Sequence, residues 1–155
     1  MQQDYYWDDF EQGMSFTSPS RVLTERDIVD FAMTYDPQPF HLDRHAAEAS
    51  HFGKLVAGGF QTAALAWALA QQTAVFAKCS IAGIGVDKLR WTRPAQAGDT
   101  LTCRFQLLNK RASSSRPGQG VAEWRFDILN QDGDVVLTMQ MTQLLKCRLS
   151  RGAID

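Results

Sequence analysis

Clustered positive charge is missing from this 155-residue chain. Its sixteen Lys and Arg are scattered, with no dense run and no aromatic-basic motif of the RNA-binding kind, so no nucleic-acid partner is expected. Cysteine is scarce. Cys79, Cys103 and Cys147 lie far apart with no C-x-x-C, which argues against a disulfide framework and a cysteine zinc site and points to a reducing compartment. No apolar run is long enough for a bilayer, because the stretch from residue 60 to 70 is followed at once by Gln71, Gln72 and Thr73. The first ten residues are acidic and aromatic, unlike a signal peptide, so a cytoplasmic protein with no membrane partner is expected. Long linkers, repeats and low-complexity tracts are also lacking, and one domain over residues 1–155 is the reading.

What is present is a globular composition with an uneven charge. Residues 1–51 carry ten acidic and three basic side chains, net −7, whereas residues 52–155 carry net +6. That basic portion suits either an anionic ligand, such as a phosphorylated cofactor, or a set of solvated strand faces.

Periodicity divides the chain into helices followed by strands. Residues 16–23 read as a short strand interrupted at Pro19, which fits an edge or a bulge. Thr24 offers an N-cap, with Asp27 three residues on and Ile28, Phe31 and Ala32 on one helical face; that helix must stop before Pro37. Asp43 can cap a short helix over about residues 44–50. The Ala-rich stretch from Phe60 to about Ala77 predicts a helix of eighteen residues, roughly 27 Å long and apolar nearly all round, hence buried. Period-two alternation then predicts strands near 86–93, 101–107, 122–128 and 135–142, separated by turn signals. Helices first and an antiparallel meander after them indicate an α+β domain, with one buried helix against one curled sheet. Trp67 is placed in the core or on an acyl tunnel. The Ser113–Gly120 stretch, flanked by Arg111, reads as a mobile hairpin that also has the charge to meet cofactor phosphates.

The most informative segment is Asp36-Pro37-Gln38-Pro39-Phe40-His41-Leu42-Asp43. Two prolines stiffen the backbone between a carboxylate and an imidazole, which is how positioned acid–base chemistry is built. Alone, Asp36 would be an ordinary turn residue at a helix end and His41 a hydrogen-bonded core residue. All three histidines, His41, His45 and His51, fall within eleven residues. No further ligand follows at a fitting distance, so no metal site is expected.

Together with Val56-Ala57-Gly58-Gly59-Phe60-Gln61-Thr62 and with Pro94 followed by Gly98-Asp99-Thr100-Leu101, this segment resembles the MaoC-like dehydratases, which include the R-specific enoyl-CoA hydratases. The resemblance implies a hot dog fold, a curled antiparallel sheet wrapped around one long central helix. It implies Asp36 and His41 as the catalytic pair, the N–H of Gly59 aimed at a thioester oxygen, and Gly58, Gln38 and Phe60 beside the substrate. It also implies a homodimer, with no cofactor beyond the CoA or carrier-protein moiety of the substrate. Hydration of a trans-2-enoyl thioester needs a base for water, an acid for C2 and a donor for the enolate oxygen. The residues leave open which of Asp36 and His41 is the base. Thioester hydrolysis is an alternative on the same fold. A non-catalytic acyl-thioester-binding subunit is another, prompted by Gln38 and Gly58, where many hydratases carry Asn and His.

Overall fold

The computed structural model describes residues 2–149. A 3-10 turn at Trp7–Asp9 precedes two short strands, β1 (Ser15–Thr17) and β2 (Arg21–Val22), which flank Pro19 as the pattern predicts. Helix α1 (Glu25–Tyr35) starts at Thr24. The Thr24 hydroxyl accepts from the Asp27 N–H and the Asp27 carboxylate accepts from the Thr24 N–H, a reciprocal cap. Two short helices follow, α2 (Pro39–Leu42) and α3 (Arg44–Glu48), the second capped by Asp43, whose carboxylate accepts from the Ala46 N–H at 2.9 Å. Helix α4 (Gly59–Gln72) leads to β3 (Ser80–Trp91), β4 (Thr100–Ala112), β5 (Gln119–Leu129) and β6 (Val135–Lys146).

The strands form an antiparallel sheet in the order β1-β4-β5-β6-β3, with β2 beside the start of β4. The alternation read from the sequence sets which face is inside. Leu101, Cys103, Phe105 and Leu107 of β4 are buried, as are Ala122, Trp124, Phe126 and Ile128 of β5. Leu65, Ala66, Leu69 and Ala70 of α4 join them in one core. At its centre Trp124 meets Phe10 and Phe76 edge-on, at 5.1 and 5.2 Å between ring centroids, and Phe105 stacks on Phe126 at 5.5 Å. Each such ring contributes about 1.5–3 kcal/mol by leaving water. Trp67 stacks on Phe76 and belongs to this core.

Three features differ from the sequence-based reading. First, α4 ends at Gln72, about five residues early. The Thr73 N–H and hydroxyl both bond the Ala70 carbonyl, and Ala74 takes a left-handed φ of 57°. That turn drives Val75, Phe76 and Cys79 into the core, where a continued helix would have carried them past it. Second, β3 begins six residues early, at Ser80, and nearly all of its residues are exposed. Third, the aromatic N-terminal segment is structural: Phe10 is wholly buried, and Trp7 lies against Gly120 while its indole N–H bonds the Val121 carbonyl at 3.1 Å.

The three cysteines are free. Burial pushes the Cys79 thiol up to about 11 and the Cys103 thiol up to about 12, so neither is a nucleophile at neutral pH. The hairpin bearing Arg111 and Arg116 closes the far end of β4, roughly 40 Å of strand from Thr100.

A Cβ at position 120 would stand 2.5 Å from Cδ2 of Trp7, against the ring edge. Gly120→Ala is therefore expected to destabilise the fold by about 1–3 kcal/mol and to lower the melting temperature by several degrees. A calorimetric melt beside the parent protein checks this.

Candidate active site

Proline decides where α1 ends. The Asp36 N–H makes the last bond of the helix, to the Ala32 carbonyl, and Pro37 cannot extend it. The Gln38 N–H then bonds back to the Asp36 carbonyl at 2.7 Å, a tight reversal. The segment does not remain a loop up to Asp43, as the sequence suggested. Pro39 opens the one-turn α2, because its fixed φ suits a first helical position and its missing N–H is not needed there. His41 sits on that turn. The result brings Asp36 Oδ2 to 3.5 Å from His41 Nε2, with the imidazole 4% exposed.

The opposite wall is the entry to α4. Residues 55–57 are clasped to 95–97: the Ala57 N–H bonds the Ala95 carbonyl and the Ala97 N–H bonds the Leu55 carbonyl. The turn after them is fixed by Gly98, at φ +93°, and by the buried Asp99, whose carboxylate accepts from the Gln96 N–H and the Gln131 amide. Thus the third motif of the sequence holds the helix start in place. From this clasp the Val56 carbonyl accepts a 2.6 Å hydrogen bond from His41 Nδ1. A carbonyl can only accept, so Nδ1 carries a proton and Nε2 is the ring nitrogen that faces Asp36. The Gln38 amide donates to Asp36 Oδ1 at 2.7 Å, leaving Oδ2 as the oxygen that faces the ring.

Both glycines are sterically required. A Cβ on Gly58 would stand 2.6 Å from Asp36 Oδ2, and one on Gly59 would meet the Trp91 indole, 2.5 Å from its Nε1. Gly59 is the first residue of α4, so its N–H has no partner within the helix and lies at the positive end of the helix dipole.

These groups surround a cavity of about 430 Å³. Of the residues nominated from sequence, Asp36, His41, Gln38, Gly59 and Phe60 line it, whereas Gly58 packs behind the Asp36 carboxylate. Gln38, expected beside the substrate, also anchors Asp36. Sequence reasoning missed Phe40, Phe52 and the end of β3, notably Trp91 and Arg93, which close the mouth. Nothing in the strand pattern marks Trp91, since an aromatic at a strand end is ordinary core composition. His45 and His51 are exposed and lie away from the cavity lining.

Comparison with known proteins gives concordant results. The family described as the MaoC like domain matches residues 9–123. The protein MaoC of Klebsiella aerogenes is 34% identical over an alignment of 130 residues that covers 79% of this chain but 38% of that protein. The chain thus spans well under half of that relative. A crystal structure of a MaoC-like dehydratase from Rhodospirillum rubrum matches with a TM-score of 0.86 at 34% identity, covering 94% of this chain and 99% of that one. A Mycobacterium tuberculosis protein with a double hot dog fold matches at a TM-score of 0.80 and 21% identity, over 95% of this chain and 46% of that one. This last likeness is one of fold.

The contact between Gly59 and Trp91 makes a test of the mouth's packing. Gly59→Ala is expected to cost about 1–3 kcal/mol in the parent protein. In a Trp91→Ala background the same change should be neutral or stabilising, since alanine is the better helix former once the ring is gone. Denaturant melts of the four proteins in the cycle measure the coupling.

Proposed function

Because this chain belongs to the MaoC-like dehydratase family, with the hot dog fold, we propose that it is a hydro-lyase that reversibly hydrates a trans-2-enoyl thioester to the 3-hydroxyacyl thioester. The observation that carries this reading is the convergence of a carboxylate, an imidazole and a free helix N–H on one cavity. A water lodged against Asp36 Oδ2 and His41 Nε2 gives up a proton to this pair as its oxygen attacks C3. The pair returns a proton to C2, so the sum is one water added across the double bond. Positioned acid–base groups of this kind contribute about 10²- to 10⁴-fold. The thioester oxygen carries negative charge between the two steps, and the Gly59 N–H at the helix start answers it, by about 3 kcal/mol for a well-placed donor. The largely apolar lining, with Phe40, Phe52, Val56 and Ala57, suits an acyl chain. The thiol part of the substrate is CoA or a carrier-protein arm, and the chemistry asks for no other cofactor.

We further propose a homodimer. The free edge of β3 is long, and Ile81, Ile84 and Val86 are exposed on it, Ile84 at 59%. An open, apolar edge of this kind pairs readily with a second copy of itself. Its end supplies Trp91 and Arg93 to the cavity, so pairing there would also shape the mouth.

Crotonyl-CoA hydration, followed by loss of the conjugated thioester absorbance, is expected to fall at least about 100-fold in Asp36→Asn and in His41→Ala with the melting transition retained. Full activity in either variant refutes the assignment. Release of free thiol in place of hydration would identify a thioesterase, and saturable binding without turnover a binding subunit. Light scattering should give twice the chain mass, and Ile84→Lys should shift it toward the monomer.

A further inference from the structure

We propose that the indole N–H of Trp91 is a second donor to the substrate's thioester oxygen, acting beside the N–H of Gly59; the proposal deepens the thioester reading above and rests on it. Trp91 is the last residue of β3, lines the cavity and is 49% exposed. Its Nε1 stands 2.5 Å from where a Cβ of Gly59 would be. In a helix the Cα–Cβ bond leans toward the N-terminus, the same end toward which the free N–H groups of the first turn point. The indole Nε1 therefore lies against the first residue of α4, close to the donor already assigned to the oxyanion.

Two further observations favour a polar role over a plain wall. Two carbonyls beside the end of β3 already accept other bonds: the Thr92 hydroxyl bonds the Val135 carbonyl at 2.6 Å, and the Thr92 and Arg93 N–H groups both bond the Val136 carbonyl. No acceptor among the described residues receives the Trp91 N–H, and at this half-exposed position on the cavity it stays free for a ligand. The ring is also held. Phe60 meets it edge-on at 5.7 Å, and Gly59, having no side chain, lets it approach the helix. A donor fixed in this way before substrate arrives needs no reorganisation when charge develops on the oxygen. Position 59 thus carries glycine for two reasons at once, access to its own N–H and room for the neighbouring indole.

The discriminating variant is Trp91→Phe, which keeps an aromatic ring against Phe60 and removes the N–H together with one of the two fused rings. We expect kcat for crotonyl-CoA hydration to fall about 10- to 100-fold, somewhat less than for the removal of a sole oxyanion donor, with KM changed less than about threefold. A second readout does not depend on turnover. The infrared carbonyl band of [1-¹³C]butyryl-CoA should move to lower frequency on binding the parent protein, and Trp91→Phe should lose part of that shift. An unchanged kcat and an unchanged band overturn the role of Trp91 while leaving the hydro-lyase reading intact, provided Asp36→Asn is inactive in the same assay. A band shift that depends on Trp91, in a protein that hydrates no enoyl thioester, keeps the donor and refutes the lyase. Failure of butyryl-CoA to bind the parent protein overturns both.

Discussion

One backbone carbonyl joins the two halves of this site. Val56 lies in the segment clasped to residues 95–97, and its oxygen takes the Nδ1 proton of His41, which stands on a separate one-turn helix. That bond fixes the ring's tautomer, its rotation and its distance from the start of α4 together. Remove the clasp and the imidazole loses its orientation, even though neither Asp36 nor His41 has changed. The Gln38 amide does the same for Asp36 from the other side. The carboxylate and the imidazole are thus each held by a neutral partner that leaves one atom of each facing the other, an arrangement that suits preorganised acid–base chemistry.

Legibility followed locality. The alternation in residues 101–107 and 122–128 is a nearest-neighbour pattern, and it placed the inward side chains of β4 and β5 correctly. Asp36 and His41 stand out through the proline-stiffened eight-residue segment together with its family resemblance, and the two side chains do face each other. Trp91 was invisible for the opposite reason: it reaches Gly59 across thirty-two positions of sequence, and only the curl of the sheet brings them together. The end of α4 was overestimated because helix propensity says nothing of what the next residues must fill. Phe76 is wanted by the aromatic core, and Ala74 accepts a left-handed turn to deliver it. The aromatic N-terminus read only as a non-leader, yet Phe10 sits among the most buried rings.

The charge division resolves in physical terms as well. On the solvent face of the sheet Arg104 and Arg125 flank the buried Asp127, a local ion-pair group that satisfies a carboxylate among strands. Much of the basic excess of residues 52–155 is accounted for by strand faces of this kind. Arg93 lies elsewhere, a cation in the cavity lining that pairs with Asp134 at 3.0 Å.

The glycine pair at the head of α4 has a consequence for how this scaffold can diversify. With Asp36 pressed on one glycine and an indole on the next, that side of the chamber tolerates no added atom without dislodging the reactive groups. Phe52 and residues 92–94 also line the cavity and touch neither glycine. Change in the size or polarity of the chamber is therefore channelled away from the glycines, and the Asp36–His41 pair can stay constant while the rest of the lining drifts.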